Sequence, residues 1–242
     1  MQLFGGSDRG MVRSQNQDSF ELFSKDGAWF MIVADGLGGH LGGKRASSLA
    51  CEVIRKRIEA EYKEGLSQAG AEELLRQSLN EANSVIWHYS VKEPENRGMG
   101  TTIVLAMLRD NTYTVVNLGD SRAYMISGGE ITQITKDQSY VQSLIDKGEL
   151  TAEQAKNYPG KSIILQAAGL GDDILPDIYR GDMGECVLLC SDGLTNELAD
   201  EKILEIITEN EAENTADILI EEAKRSGGLD NITAALAFAK GV

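Results

Sequence analysis

This chain is short of the residues from which several familiar sites are made. Among 242 residues it has three prolines, three cysteines and two histidines. With so few prolines, and no low-complexity tract or repeat of solenoid length, no linker is visible, and one domain over 1–242 is expected. Cys51, Cys186 and Cys190 are odd in number and contain no Cys-x-x-Cys pair, which argues against a disulfide framework and a structural zinc site. Cys186 and Cys190 fall in or beside an apolar run and read as core thiols. Catalysis built on several histidines has only His40 and His88 to draw on. No apolar run approaches the length that spans a membrane. Met1 to Arg9 lacks the basic-then-apolar layout of a secretory signal, so a cytoplasmic protein is expected. Cations are scarce too: 23 Lys and Arg stand against 38 Asp and Glu, a net charge of -15. That balance disfavours nucleic acid and anionic membrane as partners, and bound divalent cations would offset part of it.

What the chain does have is a recurring pattern. Three apolar runs end in an aspartate: Phe30 to Asp35, Val115 to Asp120 and Val187 to Asp192. A fourth carboxylate, Asp230, stands just before the run Ile232 to Phe238. Short apolar runs bounded by glycine read as buried strands, and an aspartate at the end of each is held by a rigid element at the edge of the core. Carboxylates gathered there repel one another and need a cation. Asp-Gly is also the commonest hairpin turn pair, and spacing alone leaves turn and ligand both open.

Strands are predicted at Asp18 to Phe23, Ala28 to Ala34, Thr101 to Arg109, Thr112 to Leu118, Arg122 to Ser127, Glu130 to Thr135, Val187 to Ser191 and Ile232 to Ala239. Asp110-Asn111 and Gly128-Gly129 are two-residue hairpin signals. Helical spacing runs from Leu41 to Ile58 and from Leu74 to Tyr89. Further helices are expected at Val141 to Asp146, from Thr151 with a Thr-x-x-Gln capping box, at Glu201 to Thr208 capped by Asp200, and at Thr215 to Arg225 capped by Asn214. Helical pairs beside blocks of antiparallel strands suggest a layered α+β fold.

Six motifs carry chemistry. Gly10 to Asp18 holds Arg13, whose planar fork suits phosphate oxygens. Ala34 to Gly43 is glycine-rich and leaves carbonyls free to ligate an ion. As a phosphate loop it lacks the Lys-[Ser/Thr] pair, because Lys44 is followed by Arg45. Gly98 to Thr102, Asn117 to Tyr124, Cys190 to Asn196 and Gly227 to Thr233 complete the set.

In this order the six motifs resemble the metal-dependent protein phosphatases, the type-2C serine/threonine phosphatases, and above all small bacterial stand-alone members. The resemblance runs from about Gly10 to Ala239. It implies a four-layer α-β-β-α sandwich and two core Mn²⁺ or Mg²⁺ ions, with a third common in bacterial members. Asp35 would bridge the core pair, helped by the Gly36 carbonyl. Asp192 and Asp230 would complete one ion's site, and Asp18 would act through water. Asp120, with Asp192, matches the holder of the third ion, and Arg13 matches the phosphate-binding arginine. Asn231 follows Asp230 in the last motif and is kept as a minor candidate. A hydroxide bridging the two metals would attack phosphorus in a single in-line displacement, so the three cysteines have no catalytic role. Gln17 stands where many eukaryotic members carry an acid. Leu37 stands where they place a proposed acid histidine, which leaves His40 a weaker candidate. Ser139 to Gly169 matches the family's variable flap.

The expected activity is dephosphorylation of phosphoserine and phosphothreonine proteins, opposing a Hanks-type serine/threonine kinase. The expected state is a monomer with no appended sensor or anchor. Two other readings are weighed. A non-catalytic phosphoprotein-binding relative would lack some of the carboxylates, yet all five are present. A hydrolase of small phosphate esters would keep them.

Overall fold

The computed structural model describes residues 1–38, 42–155, 158–160 and 162–239. The elements in chain order are β1 (Gln2–Asp8), β2 (Ser19–Lys25), β3 (Ala28–Ala34), β4 (Gly36–Leu37), α1 (Gly42–Glu61), α2 (Gln68–Lys92), β5 (Gly100–Thr101), β6 (Ile103–Arg109), β7 (Thr112–Leu118), β8 (Arg122–Ser127), β9 (Glu130–Gln133), α3 (Tyr140–Asp146), α4 (Ala152–Ala155), β10 (Asp177–Asp182), β11 (Cys186–Cys190), α5 (Asp192–Thr195), α6 (Asp200–Glu209), α7 (Ala212–Ser226) and β12 (Ile232–Phe238). They build two five-stranded antiparallel sheets, ordered β1-β12-β11-β8-β9 and β10-β7-β6-β3-β2, and a small β4-β5 pair.

Turn chemistry sets the meander. Asp26-Gly27, Asp110-Asn111 and Gly128-Gly129 all have positive φ at both positions. That backbone hand matches the twist of the strands it joins. The facing sheets bury Met31, Val33, Val104, Ala106, Leu108, Val115, Val187, Leu189, Ala235 and Ala237 between them. Helices α1 and α2 cover the outer face of the second sheet, where Ala46, Ala50, Ile54, Leu75 and Leu79 pack on Phe30, Ile32, Ile103 and Leu105. Helices α6 and α7 cover the first, where Ile203, Ile207, Leu219 and Ala223 pack on Leu188, Ala234 and Leu236. The result is the α-β-β-α layering expected. Among the described residues, no helix is long and apolar enough to cross a membrane.

Besides the two-residue β4, two longer strands were not anticipated. The first, β1, pairs along its whole length with β12 although Gly5-Gly6 are poor strand formers. The second, β10, is a polar edge strand on β7. The Thr101–Arg109 segment is broken at Thr102, because Gly100–Thr101 pairs with Gly36–Leu37 instead. Asp200 lies inside α6, behind an Ala199 cap, and Asn214 lies inside α7, behind Glu211. The Thr151 capping box is present: the Gln154 N–H donates to Thr151 Oγ1 at 3.2 Å, and the Thr151 N–H donates to Gln154 Oε1 at 2.9 Å.

Strand register decides where the aspartates go. Ala34 at the end of β3 faces Ser19 at the start of β2. Leu118 at the end of β7 faces Ile103. Cys190 at the end of β11 faces Arg122 and Ala234. Asp18, Asp35, Asp120, Asp192 and Asp230 therefore emerge at one end of the sandwich.

Candidate active site

Asp18 and Asp35 are held by groups from distant parts of the chain. Asp18 is 1% exposed. Its Oδ2 accepts hydrogen bonds from Ser191 Oγ at 2.7 Å and Thr233 Oγ1 at 2.6 Å, residues at the edges of β11 and β12. Asp35 is fixed through its backbone: its N–H donates to Thr102 Oγ1 at 3.1 Å, and its carbonyl accepts from the Thr102 N–H and Thr101 Oγ1, both at 2.9 Å. Asp192 opens α5 and accepts from Asn196 Nδ2 at 2.9 Å. Asp120 lies in the turn between β7 and β8 and is 7% exposed. Gly36 is packed so tightly against α1 that a Cβ would stand 2.2 Å from the Gly43 carbonyl oxygen, so only glycine fits.

The electrostatics are unfavourable as they stand. Burial, and then repulsion from Asp18, Asp192, Asp120 and Asp230, hold the Asp35 carboxyl well above the ordinary range. Burial raises Asp18 to about 6 against the pull of its two hydroxyl donors. Burial and the neighbouring Asp192 raise Asp120 to about 7. Asp192 is raised by burial and by Asp230, while hydrogen bonding with Asp35 and Asn196 lowers it. Among the described residues, three buried oxygens of the cluster, Asp18 Oδ1, Asp120 Oδ1 and Asp192 Oδ1, have no hydrogen-bond partner. Unpaired buried oxygens among mutually repelling acids are what a hard, oxygen-preferring cation relieves. Among the described residues no three His, Cys, Asp or Glu side chains enclose an ion by themselves. Ligands at such a site would include backbone carbonyls and water, as hard divalent cations accept.

Two arginines flank the cluster. Arg13 Nη2 donates to Asp230 Oδ2 at 2.6 Å, and the pair is partly open to solvent. Arg122 forms a two-pronged pair with Asp137, at 2.8 and 2.7 Å, and donates to the Tyr124 hydroxyl at 3.1 Å. Beside Asp120 and Asp192 a cleft of about 700 Å³ opens between the 139–162 segment, through Ser139, Gln142, Ile145 and Ser162, and the α5–α6 region, through Asn196 and Asp200.

The structure places Arg13, Asp18, Asp35, Gly36, Asp120, Asp192, Asp230 and Asn231 at the same end of the sandwich. His40 lies outside the described residues. All three cysteines are buried, and burial pushes Cys51 and Cys190 up to about 12, consistent with inert core thiols. Sequence reasoning missed Ser191 and Thr233 as the holders of Asp18, and the Arg122–Asp137 pair. The signal was a hydroxyl at the edge of an otherwise apolar run, within motifs already singled out.

Residues 6–222 match the family model for Protein phosphatase 2C. Serine/threonine protein phosphatase PstP of Mycobacterium tuberculosis is 38% identical over 233 residues, covering 96% of this chain; the chain spans only 43% of that protein's length. Serine/threonine phosphatase stp of Listeria monocytogenes is 36% identical over 237 residues, 95% of this chain and 92% of that protein. Among solved structures, the catalytic domain of serine threonine protein phosphatase PstP in complex with two manganese ions matches with a TM-score of 0.83 at 35% identity, over 98% of this chain and 97% of that one. With the fold, the strand-end aspartates and these relatives in agreement, the chain belongs to the protein phosphatase 2C family.

Proposed function

We propose that this protein is a metal-dependent serine/threonine phosphatase that removes phosphate from phosphoserine and phosphothreonine in proteins and reverses the action of a Hanks-type kinase. The observation that carries the reading is the group of strand-end aspartates whose charges repel and whose buried oxygens lack partners among the described residues. The manganese in the PstP relative supports divalent ions as the missing counter-charge, Mn²⁺ or Mg²⁺. Asp35 and the Gly36 carbonyl would hold two core ions between them, with Asp192 and Asp230 on one of them and Asp18 reaching the site through water. Asp120 and Asp192 would share a third. When bound, such ions lower the pKa of water enough to furnish the nucleophile and neutralise charge on the phosphoryl oxygens.

The chain's own residues do the rest. Ser191 and Thr233 occupy Asp18 Oδ2, and Oδ1 is left without a hydrogen-bond partner among the described residues. Among the described residues one Arg13 donor is spent on Asp230, and the rest of the guanidinium can fork onto phosphate oxygens. The cleft beside Asp120 would take the polypeptide around the phosphorylated residue, and its lining residues Ser139, Gln142, Ile145 and Ser162 would then influence which polypeptide enters.

The test is hydrolysis of a phosphothreonine peptide by metal-stripped protein, with Mn²⁺ restored or withheld, beside small phosphate esters. Activity on the peptide that returns only with Mn²⁺ is expected. A folded protein inert under both conditions overturns the reading, and turnover confined to small esters replaces it with the ester-hydrolase alternative.

A further inference from the structure

Arg13 stands on a stretch without regular structure, and that stretch is anchored to one short segment at the far end of the chain. Asn231 Nδ2 donates to the Arg9 carbonyl and to the Gln15 carbonyl, both at 2.9 Å. Its Oδ1 accepts the Gln17 N–H at 2.8 Å, and its own backbone N–H donates to Asp230 Oδ1 at 2.8 Å. Close by, the Met11 N–H donates to the Gly228 carbonyl at 2.8 Å. Gly10 closes the fit: its φ is +77°, and a Cβ there would stand 2.1 Å from the Asp230 carbonyl oxygen. Asn231 is 4% exposed, so water does not substitute for these bonds. One short side chain must supply two donors and an acceptor at once, which a carboxamide does and a carboxylate or hydroxyl does not. The amide thereby draws together the two legs of the loop from Arg9 to Gln15, with Arg13 near its tip.

We infer that Asn231 is a positioning residue for phosphate binding, acting through Arg13 by pinching the loop that carries it. The inference rests on the phosphatase reading above. It does not place Asn231 against substrate.

The experiment is a calorimetric titration of Mn²⁺-loaded protein with inorganic phosphate, for wild type, Asn231→Ala, Arg13→Ala and the double variant, with Mn²⁺ affinity and melting temperature measured separately. Asn231→Ala is expected to weaken phosphate about tenfold. It should raise KM for p-nitrophenyl phosphate by a similar factor with kcat held within about threefold. It should add nothing to the loss already caused by Arg13→Ala. Asn231→Ser, which keeps one donor, should recover part of the affinity, and it carries the test if the alanine variant does not fold. An equal further loss in the Arg13→Ala background overturns the inference, as does unchanged phosphate affinity beside a lowered melting temperature. If wild type binds Mn²⁺ but never phosphate, the phosphatase reading itself fails and this inference fails with it. If wild type binds phosphate and the Asn231 variants bind it equally well, only this inference fails.

Discussion

Between the two sheets, β3 and β11 present Met31, Val33, Val187 and Leu189, all fully buried among apolar neighbours. Two or three residues farther on, just past the ends of these strands, stand Asp35 and Asp192, whose acids are pushed upward by burial and by neighbouring carboxylates, Asp18 on Asp35 and Asp230 on Asp192. The interior gains free energy from every atom taken out of water. The mouth loses it, because carboxylates are desolvated there without counter-charge. The contrast shows how the fold tolerates its site: the apolar packing over-determines where each strand ends, so a destabilising group placed one step later has nowhere else to go. Stability and reactivity are separated along the strand.

That separation is broken most sharply at the mouth. Asp35→Asn and Asp192→Asn should each lower peptide turnover on the order of a thousandfold, roughly 4 kcal/mol of barrier. The melting temperature of the metal-free protein should hold or rise, since each change removes one repelling charge. Activity retained in both variants would remove these residues from the chemistry. A fall in metal-free stability would mean that the cluster is structural.

The interior should answer in the opposite way. Leu189→Ala, at a fully buried position, should cost about 3 kcal/mol. For a chain of this size that is about 6–12 °C in melting temperature. Turnover per folded molecule at low temperature should stay near wild type. A turnover loss comparable to that of Asp35→Asn, in folded protein, would deny that the two regions are separable.

The interior was also the more legible region. Alternating and continuous apolar runs disclosed β3, β6, β7, β8, β11 and β12, and paired glycine or Asp-Asn turns disclosed how they connect. The missed strand β1 carries Gly5 and Gly6 where a Cβ would stand 2.8 Å from the Phe20 ring and from the Ile220 side chain, so packing selects residues that local propensity rejects. The other missed strand, β10, is an edge, half polar, with no apolar run to reveal it. At the mouth the motif order exposed the carboxylates and Arg13. The side chains that hold them stayed hidden, because Ser191 and Thr233 reach Asp18 across 173 and 215 residues of sequence. Periodicity reads neighbours along the chain and is blind to such pairings.

Acidity offers a subtler probe of the same contrast. Asp120 has an ordinary acidity when unfolded and is raised to about 7 in the fold. Between about pH 4 and 7 the folded state therefore holds more protons, and this group's contribution to stability declines as pH rises through that window. Asp120→Asn removes the penalty. In metal-free protein the variant should gain on wild type in melting temperature from pH 5 to pH 7.5, by a few degrees. Mn²⁺ should narrow the gap. A difference that stays constant with pH would mean that Asp120 carries no such burden.

The finest test sets the two flanking arginines against each other. Arg122 is locked by both prongs of Asp137 and by Tyr124, as the interior locks its residues. Among the described residues Arg13 donates one hydrogen bond, to Asp230, and it keeps 54% of its side chain exposed, which leaves it usable by a ligand. Lysine retains the charge and loses the planar fork. Arg13→Lys should thus raise KM several-fold, near 1 kcal/mol, with the melting temperature unchanged. Arg122→Lys should lower the melting temperature by a few degrees with KM nearly unchanged, because only the structural pair is weakened. The readouts are independent, so a reversed pattern, with Arg122→Lys moving KM and Arg13→Lys moving stability, would place the phosphate at the Arg122 side of the cluster and leave Arg13 the structural member of the pair.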